Sequence, residues 1–338
     1  MRTVSYTHLR QFDKKSFGIR LFDEKGESQS KSFLGMRDDN KWILNALYSD
    51  TSKIREKLAL DIWSEISPEL PGSRMEYAEV FVNGFYRGLY GLMEPIDKKQ
   101  LSLKEGDYLY KCGSLDGINK EYYVSLSDCM ETEDIEVEYP KELQPDIWAP
   151  MQYYTELITE GKISESSVKP DDENMVNYWL FTQFLSASDN IDKNFFVAAF
   201  ENGNGLLLRK IPWDLNYSFG DAWSDEKANM TQFGVFDIDT IYLLQDYQSL
   251  YKSRPDEISG LTESLWNSMR EGVIQQERLC KAADEYMTML TESGAFARDA
   301  LRWPEAENNR DISSIKEYIG ERIVFLDSAI ADGSYYGD

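Results

Sequence analysis

Residues 186–221 read SASDNIDKNFFVAAFENGNGLLLRKIPWDLNYSFGD, and the fold assignment turns on this stretch. A helical pattern enters it, with Val176, Leu180, Phe184 and Ala187 in one register over 174–187. An acid-rich loop follows. A hairpin of two short strands comes next, and a second acidic site closes the stretch. Asp189 and Asn194 stand five apart as D-x-x-x-x-N, and Asp214 comes one hairpin later. The spacing fits a polar turn whose Asp and Asn bond their own backbone. It does not fit an EF-hand, because Ile191 takes the third ligand position and no Gly stands at the sixth.

Outward from this stretch the elements alternate in kind. Phe17, Ile19 and Leu21 predict a strand over 16–22, closed by Asp23-Glu24-Lys25-Gly26, and 42–47 is a second short apolar run. Ser49 or Asp50 is placed to cap a helix reaching Ile66, with Ile54, Leu58 and Ile62 on the same face. Residues 75–82 and 85–93 predict strands joined by Asn83-Gly84, a strong hairpin signal. Residues 98–148 read as irregular, with strand-like Tyr108-Leu109-Tyr110 and Tyr122-Tyr123-Val124. Five acids in 131–138 suggest a solvated insert. Helices are expected at 151–159, 174–187, 240–251, 257–272, 277–293 and 313–331.

Composition bounds the function classes. The 338 residues carry 36 Lys and Arg against 60 Asp and Glu, a net charge of -24 that argues against nucleic acid or an anionic membrane as partner. Hydrophobic residues at 42% supply a core, and length suits one two-lobed domain or two small ones. The lone His8 excludes multi-histidine metal sites and disfavours a histidine triad; packing near the first strand suits it better. Cys112, Cys129 and Cys280 cannot close a disulfide set. No apolar run has the length of a membrane span, and no export signal is visible at the N-terminus.

A loop with D-x-x-x-x-N, two strands and a lone Asp is also how a protein kinase orders its catalytic acid and metal ligands. One carboxylate faces the acceptor hydroxyl, while an amide oxygen and a second carboxylate hold Mg²⁺ against phosphates. The wording around the motif resembles the CotH kinase family, the spore-coat-type atypical kinases. Ser188-Asp189, Asn194-Phe195-Phe196, Ile211-Pro212-Trp213-Asp214-Leu215 and Phe219-Gly220 carry the likeness here. Upstream, Lys14-Lys15-Ser16-Phe17, then Trp42, Tyr48-Ser49-Asp50, Arg55 and Leu58-Ala59, then 79–94 with Asn83-Gly84 and Glu94 match the family in order. The likeness runs from about Lys14 to the final helix.

The resemblance implies an α+β, atypical protein-kinase-like two-lobed fold. A β-rich small lobe over 1–97 covers the nucleotide, and an α-rich large lobe over 98–338 carries the catalytic loop and metal site. The linker 94–97 then serves as the hinge receiving the adenine. Asp189 is expected to position the acceptor or act as its base, and Asn194 and Asp214 to bind Mg²⁺, with Mn²⁺ an alternative. Lys15 and Arg55 are the candidates for the phosphates of ATP, and Glu56 could pair with the strand lysine. The implied activity is phosphorylation of Ser or Thr on a protein, at a cell surface, in secretion or on a spore coat.

Two departures matter. Asn216 stands where the family often has a second Asp, and Arg2-Thr3-Val4-Ser5 has Thr for the usual Gly, so no Gly-rich phosphate loop is visible; the start is trimmed or an upstream part is missing. Alternatives therefore stay open: a kinase-fold enzyme transferring AMP, or a non-catalytic coat module that kept the fold for binding. An Asp-cluster phosphohydrolase would need more acids and usually a histidine.

Overall fold

The computed structural model describes residues 2–3, 12–115, 118, 129–132, 134–161, 167–221 and 238–335. His8, Val4-Ser5 and the expected strand at Tyr122-Tyr123-Val124 lie outside the described residues. The chain is a mixed α+β structure with two five-stranded sheets. The first contains β1 (Arg2–Thr3), β2 (Phe17–Arg20), β3 (Lys41–Asn45), β4 (Met75–Val82) and β5 (Phe85–Met93), all antiparallel in the order β1-β2-β3-β5-β4. The second contains β6 (Tyr108–Cys112), β7 (Ile135–Tyr139), β8 (Val168–Pro170), β9 (Phe195–Glu201) and β10 (Leu206–Pro212), in the order β7-β6-β9-β10-β8. Only β8 pairs in parallel, with β10.

Among the described residues there are eight α-helices: α1 (Arg55–Ile66), α2 (Ala149–Glu160), α3 (Asp172–Leu185), α4 (Gln245–Ser253), α5 (Pro255–Glu271), α6 (Gln276–Glu292), α7 (Ala295–Arg302) and α8 (Ser313–Asp332). Helix α3 is buried on every side from Asn174 to Leu185, so it is the axis of the core rather than a surface helix. Asp171 caps it by accepting from the Asn174 N–H at 3.1 Å. Trp63 of α1 packs edge-on against Phe181, and Trp179 stacks on Tyr247 at 4.2 Å. One continuous apolar cluster thereby joins α1, Met75, Leu89 and Met93 of the first sheet to the helices that follow.

The β4–β5 hairpin forms where Asn83-Gly84 predicts it, with both residues at positive φ (52° and 80°) as a two-residue turn matching the strand twist requires. Three features differ from expectation. Helix α1 begins at Arg55, because Asp50 reaches forward: its carboxylate accepts from the backbone N–H of Ser52 and Arg55 while Lys53 takes a left-handed φ of 66°. The acid run includes the edge strand β7, since Ile135 and Val137 alternate inward and the charges between them face out. Helix α7 went unread because its buried face includes an aspartate, Asp299.

Asp299 explains how the C-terminal helices grip the first sheet. Its Oδ1 accepts from Lys14 Nζ at 2.7 Å and from the Leu89 N–H at 2.8 Å, with both side chains essentially unexposed. Gly88 makes room: at φ 123° it lies so close that an added Cβ would sit 2.4 Å from Asp299 Oδ1. Asp299→Ala leaves the Lys14 ammonium buried without its counter-ion and should lower unfolding free energy by about 3–5 kcal/mol in urea titration. A loss below roughly 1 kcal/mol would mean that Lys14 escapes to water.

Candidate functional site

The geometry starts from strand register. Strands β9 and β10 pair antiparallel with Phe195 opposite Pro212, so Asn194 and Trp213 face each other at the open end of the hairpin. The Trp213 N–H donates to the Asn194 carbonyl at 3.0 Å. Asp214 is thus held one residue from Asn194's partner, although twenty positions separate them in sequence. Asn190 locks the pair from behind: its buried Nδ2 donates to the carbonyls of both Asn194 and Trp213 at 2.8 Å. Its own carbonyl accepts from the Tyr178 hydroxyl on α3.

Asp189 lies in the 3-10 turn Ser188–Asn190 that follows α3, and Lys193 pairs with it at 3.0 Å. The chain turns sharply at each of these points. Ser186, Asn194, Asp214 and Phe219 all have φ between 49° and 57°, the left-handed region that costs a side chain about 1 kcal/mol or more and tends to gather at functional sites. Phe219 and Gly220 seal the far end, with the Phe219 N–H bonded to Leu185 and its ring edge-on to Phe184 and Tyr318.

The electrostatics bring the acids together. Burial, then the Asp189 carboxylate, push Asp214 up from 3.8 to about 6, while Lys111 and Lys193 pull it back. Burial, then Asp214, push Glu56 well above its ordinary value, and the Leu215 N–H opposes that. Glu56 forms no ion pair among the described residues. Its Oε2 instead accepts from the Leu215 N–H at 2.7 Å, and its buried Oε1 has no hydrogen-bond partner. The expected Glu56–lysine pair is therefore replaced by a brace on the loop after Asp214.

The two phosphate candidates lie as follows. Lys14, not Lys15, turns inward, and both precede β2 rather than lying on it; Lys15 is partly buried. Arg55 is buried, its guanidinium donating to Asp50, Ser52 and the Ser218 carbonyl. Asn216, at the family's second acid position, donates to Ser49 Oγ at 2.7 Å. Sequence reading passed over Asn190, which looks like any turn asparagine, and over Lys111 and Lys193, whose value lies only in their distance from Asp214.

For a cation, the donors that the strand register brings near one another are the Asp214 carboxylate and the Asn194 amide oxygen. Among the described residues no three His, Cys, Asp or Glu side chains form a metal cage. Mg²⁺ commonly takes one or two carboxylates and completes its shell with water and phosphate oxygens, so a two-residue set facing a nucleotide fits that ion. The unpartnered Glu56 oxygen and the repulsion at Asp214 both favour added positive charge.

A family model described as CotH kinase protein matches residues 7–326. The chain is also similar to the inner spore coat protein H of Bacillus subtilis (strain 168), 28% identical over 225 residues. That match takes in 63% of this chain and 57% of the relative, so the chain spans little more than half of the relative's length. No helix of the described residues is long and apolar enough to cross a membrane.

The Asp214 shift has a definite sign. Well below 3.8 the carboxyl is protonated folded and unfolded, so burial costs nothing; well above 6 it is ionised in both and the penalty is complete. Asp214→Asn should therefore raise the thermal midpoint of the metal-free protein near neutral pH and change it far less at about pH 3.5. Equal shifts at both pH values, measured by scanning calorimetry, would assign the effect to packing instead.

Proposed function

The chain belongs to the CotH kinase family, and we propose that it is an ATP- and Mg²⁺-dependent phosphotransferase acting on Ser or Thr of a protein substrate. The single observation that carries this reading is the β9–β10 register, which sets Asn194 beside the Asp214 turn with Asp189 close enough to perturb it. In this reading the fold works as a kinase-like pair of lobes. Residues 1–97 with the first sheet cover the nucleotide, and 98–338 carry the catalytic loop. The linker at 94–97 receives the adenine.

Asn194 and Asp214 would hold the cation, Mg²⁺ or Mn²⁺, which supplies positive charge against the phosphates. Asp189 orients the acceptor hydroxyl and receives its proton as the new O–P bond forms and the bond to the nucleotide's leaving oxygen breaks. Lys193 holds Asp189 in place until an acceptor arrives. Lys15 and Arg55 contact the phosphates in this scheme. The relative's name supports a place in the spore coat.

Two experiments test the assignment. Asp214→Asn should weaken metal-dependent nucleotide binding and abolish transfer. Asp189→Asn should leave binding nearly intact while transfer falls about 10²- to 10⁴-fold, because its partner is the acceptor. Calorimetry beside product mass reads both, and the mass also distinguishes phosphoryl from AMP transfer. Wild-type transfer in both variants would reduce the two acids to loop structure and leave a binding module. Separately, Lys15→Ala or Arg55→Ala should weaken ATP more than adenosine; equal losses would mean that these residues serve the fold alone.

A further inference from the structure

The Asp214 turn, held from behind by Asn190, is gripped from a second direction as well. Residues 49–56, which lead into α1, touch all four residues after Asp214, Tyr217 through Ser49. Ser49 Oγ accepts from Asn216, Arg55 Nε donates to the Ser218 carbonyl at 3.1 Å, and Glu56 Oε2 accepts from the Leu215 N–H. The first contact joins two neutral side chains, and the second uses a guanidinium already paired with Asp50. Glu56 is not. A brace for one backbone N–H needs only a neutral oxygen, and burying an ionised carboxylate with an unpartnered oxygen is costly.

The neighbouring cations are committed elsewhere. Lys57 pairs with Asp61 and Glu76, Arg55 with Asp50, and Lys53 Nζ donates to the Leu47 carbonyl. We infer that Glu56 is a positioning residue for the cation site: it holds the Asp214-Leu215 backbone in place and sets a second carboxyl behind Asp214, available to balance the charge of a divalent ion and so raise its affinity. The inference rests on the metal-site reading above. It explains why a carboxylate, and not an amide, occupies the first turn of α1. Groups standing one step behind metal ligands commonly change affinity by about 10- to 100-fold when removed. Through it α1 and the cation depend on each other, since displacing the helix withdraws both the brace and the charge.

The charge and the brace can be separated. Glu56→Gln keeps an oxygen for the Leu215 N–H and removes the charge; Glu56→Met removes both. Mn²⁺ is the probe, its affinity for the nucleotide-free full chain read by electron paramagnetic resonance, beside a urea midpoint for each variant. Mn²⁺ affinity should fall about 10-fold or more in both variants, while only Glu56→Met loses stability. Asp214→Asn serves as the control. If Glu56→Gln binds Mn²⁺ like the wild type while Asp214→Asn does not, the inference is overturned and the metal site stands. If Asp214→Asn also binds like the wild type, the metal site itself falls.

Discussion

Two hydrogen bonds from one amide hold the centre of this molecule. Asn190 Nδ2 reaches the carbonyls of Asn194 and Trp213, and without them nothing but strand pairing would align the two left-handed turns that carry Asn194 and Asp214. An amide suits the task because it offers two N–H donors from one planar group. Its position is set in turn by α3, through Tyr178, and by the helix end at Ser186. The strain of those turns is therefore borne by a rigid support, as buried helix α3 cannot move without disturbing the whole core.

A second dependence runs from the N-terminal part of the chain. The segment before α1 is held by Asp50, whose carboxylate accepts four donors from Ser52 and Arg55. That segment then contacts the 215–218 turn. The same side of the molecule is closed by α7 through Lys14 and Asp299. The C-terminal helices thus help to fix the geometry of the N-terminal sheet, and the sheet's helix α1 braces the acid turn of the second.

Charge is distributed unevenly between surface and interior. The chain carries a net -24, yet several of its deepest ionic groups are cations with a partner each. Lys210 meets Asp246 at 2.8 Å within a cage formed by Tyr178 and Phe195, and Lys14 meets Asp299. Arg322 donates to the carbonyls of Gln183 and Ile238. Burial pulls Lys14 down to about 8, with Asp299 opposing. The acid site is the reverse case: three carboxyls gather there, burial and mutual repulsion push Asp214 and Glu56 up, and Lys111 and Lys193 pull Asp214 back.

Much of this was legible in the amino acids. Asn83-Gly84 determined its hairpin because a two-residue turn at positive φ admits few residue types. The apolar periodicity of 174–187 determined α3, and the order of Asp189, Asn194, Trp213 and Asp214 determined the family. These signals are local, set by backbone sterics and side-chain period. Three things were not local. Which of Lys14 and Lys15 turns inward was decided by Asp299, 285 residues away in sequence. The partner of Glu56 was decided by where the β10 turn ends, so a carboxylate that could meet a lysine met a backbone N–H instead. The strand at 135–139 was decided by the edge of β6, which accepts any alternating segment that buries Ile135 and Val137. Sequence determines the menu of conformations and charges; only packing brings distant groups within hydrogen-bond reach, because that energy falls away within a few ångströms.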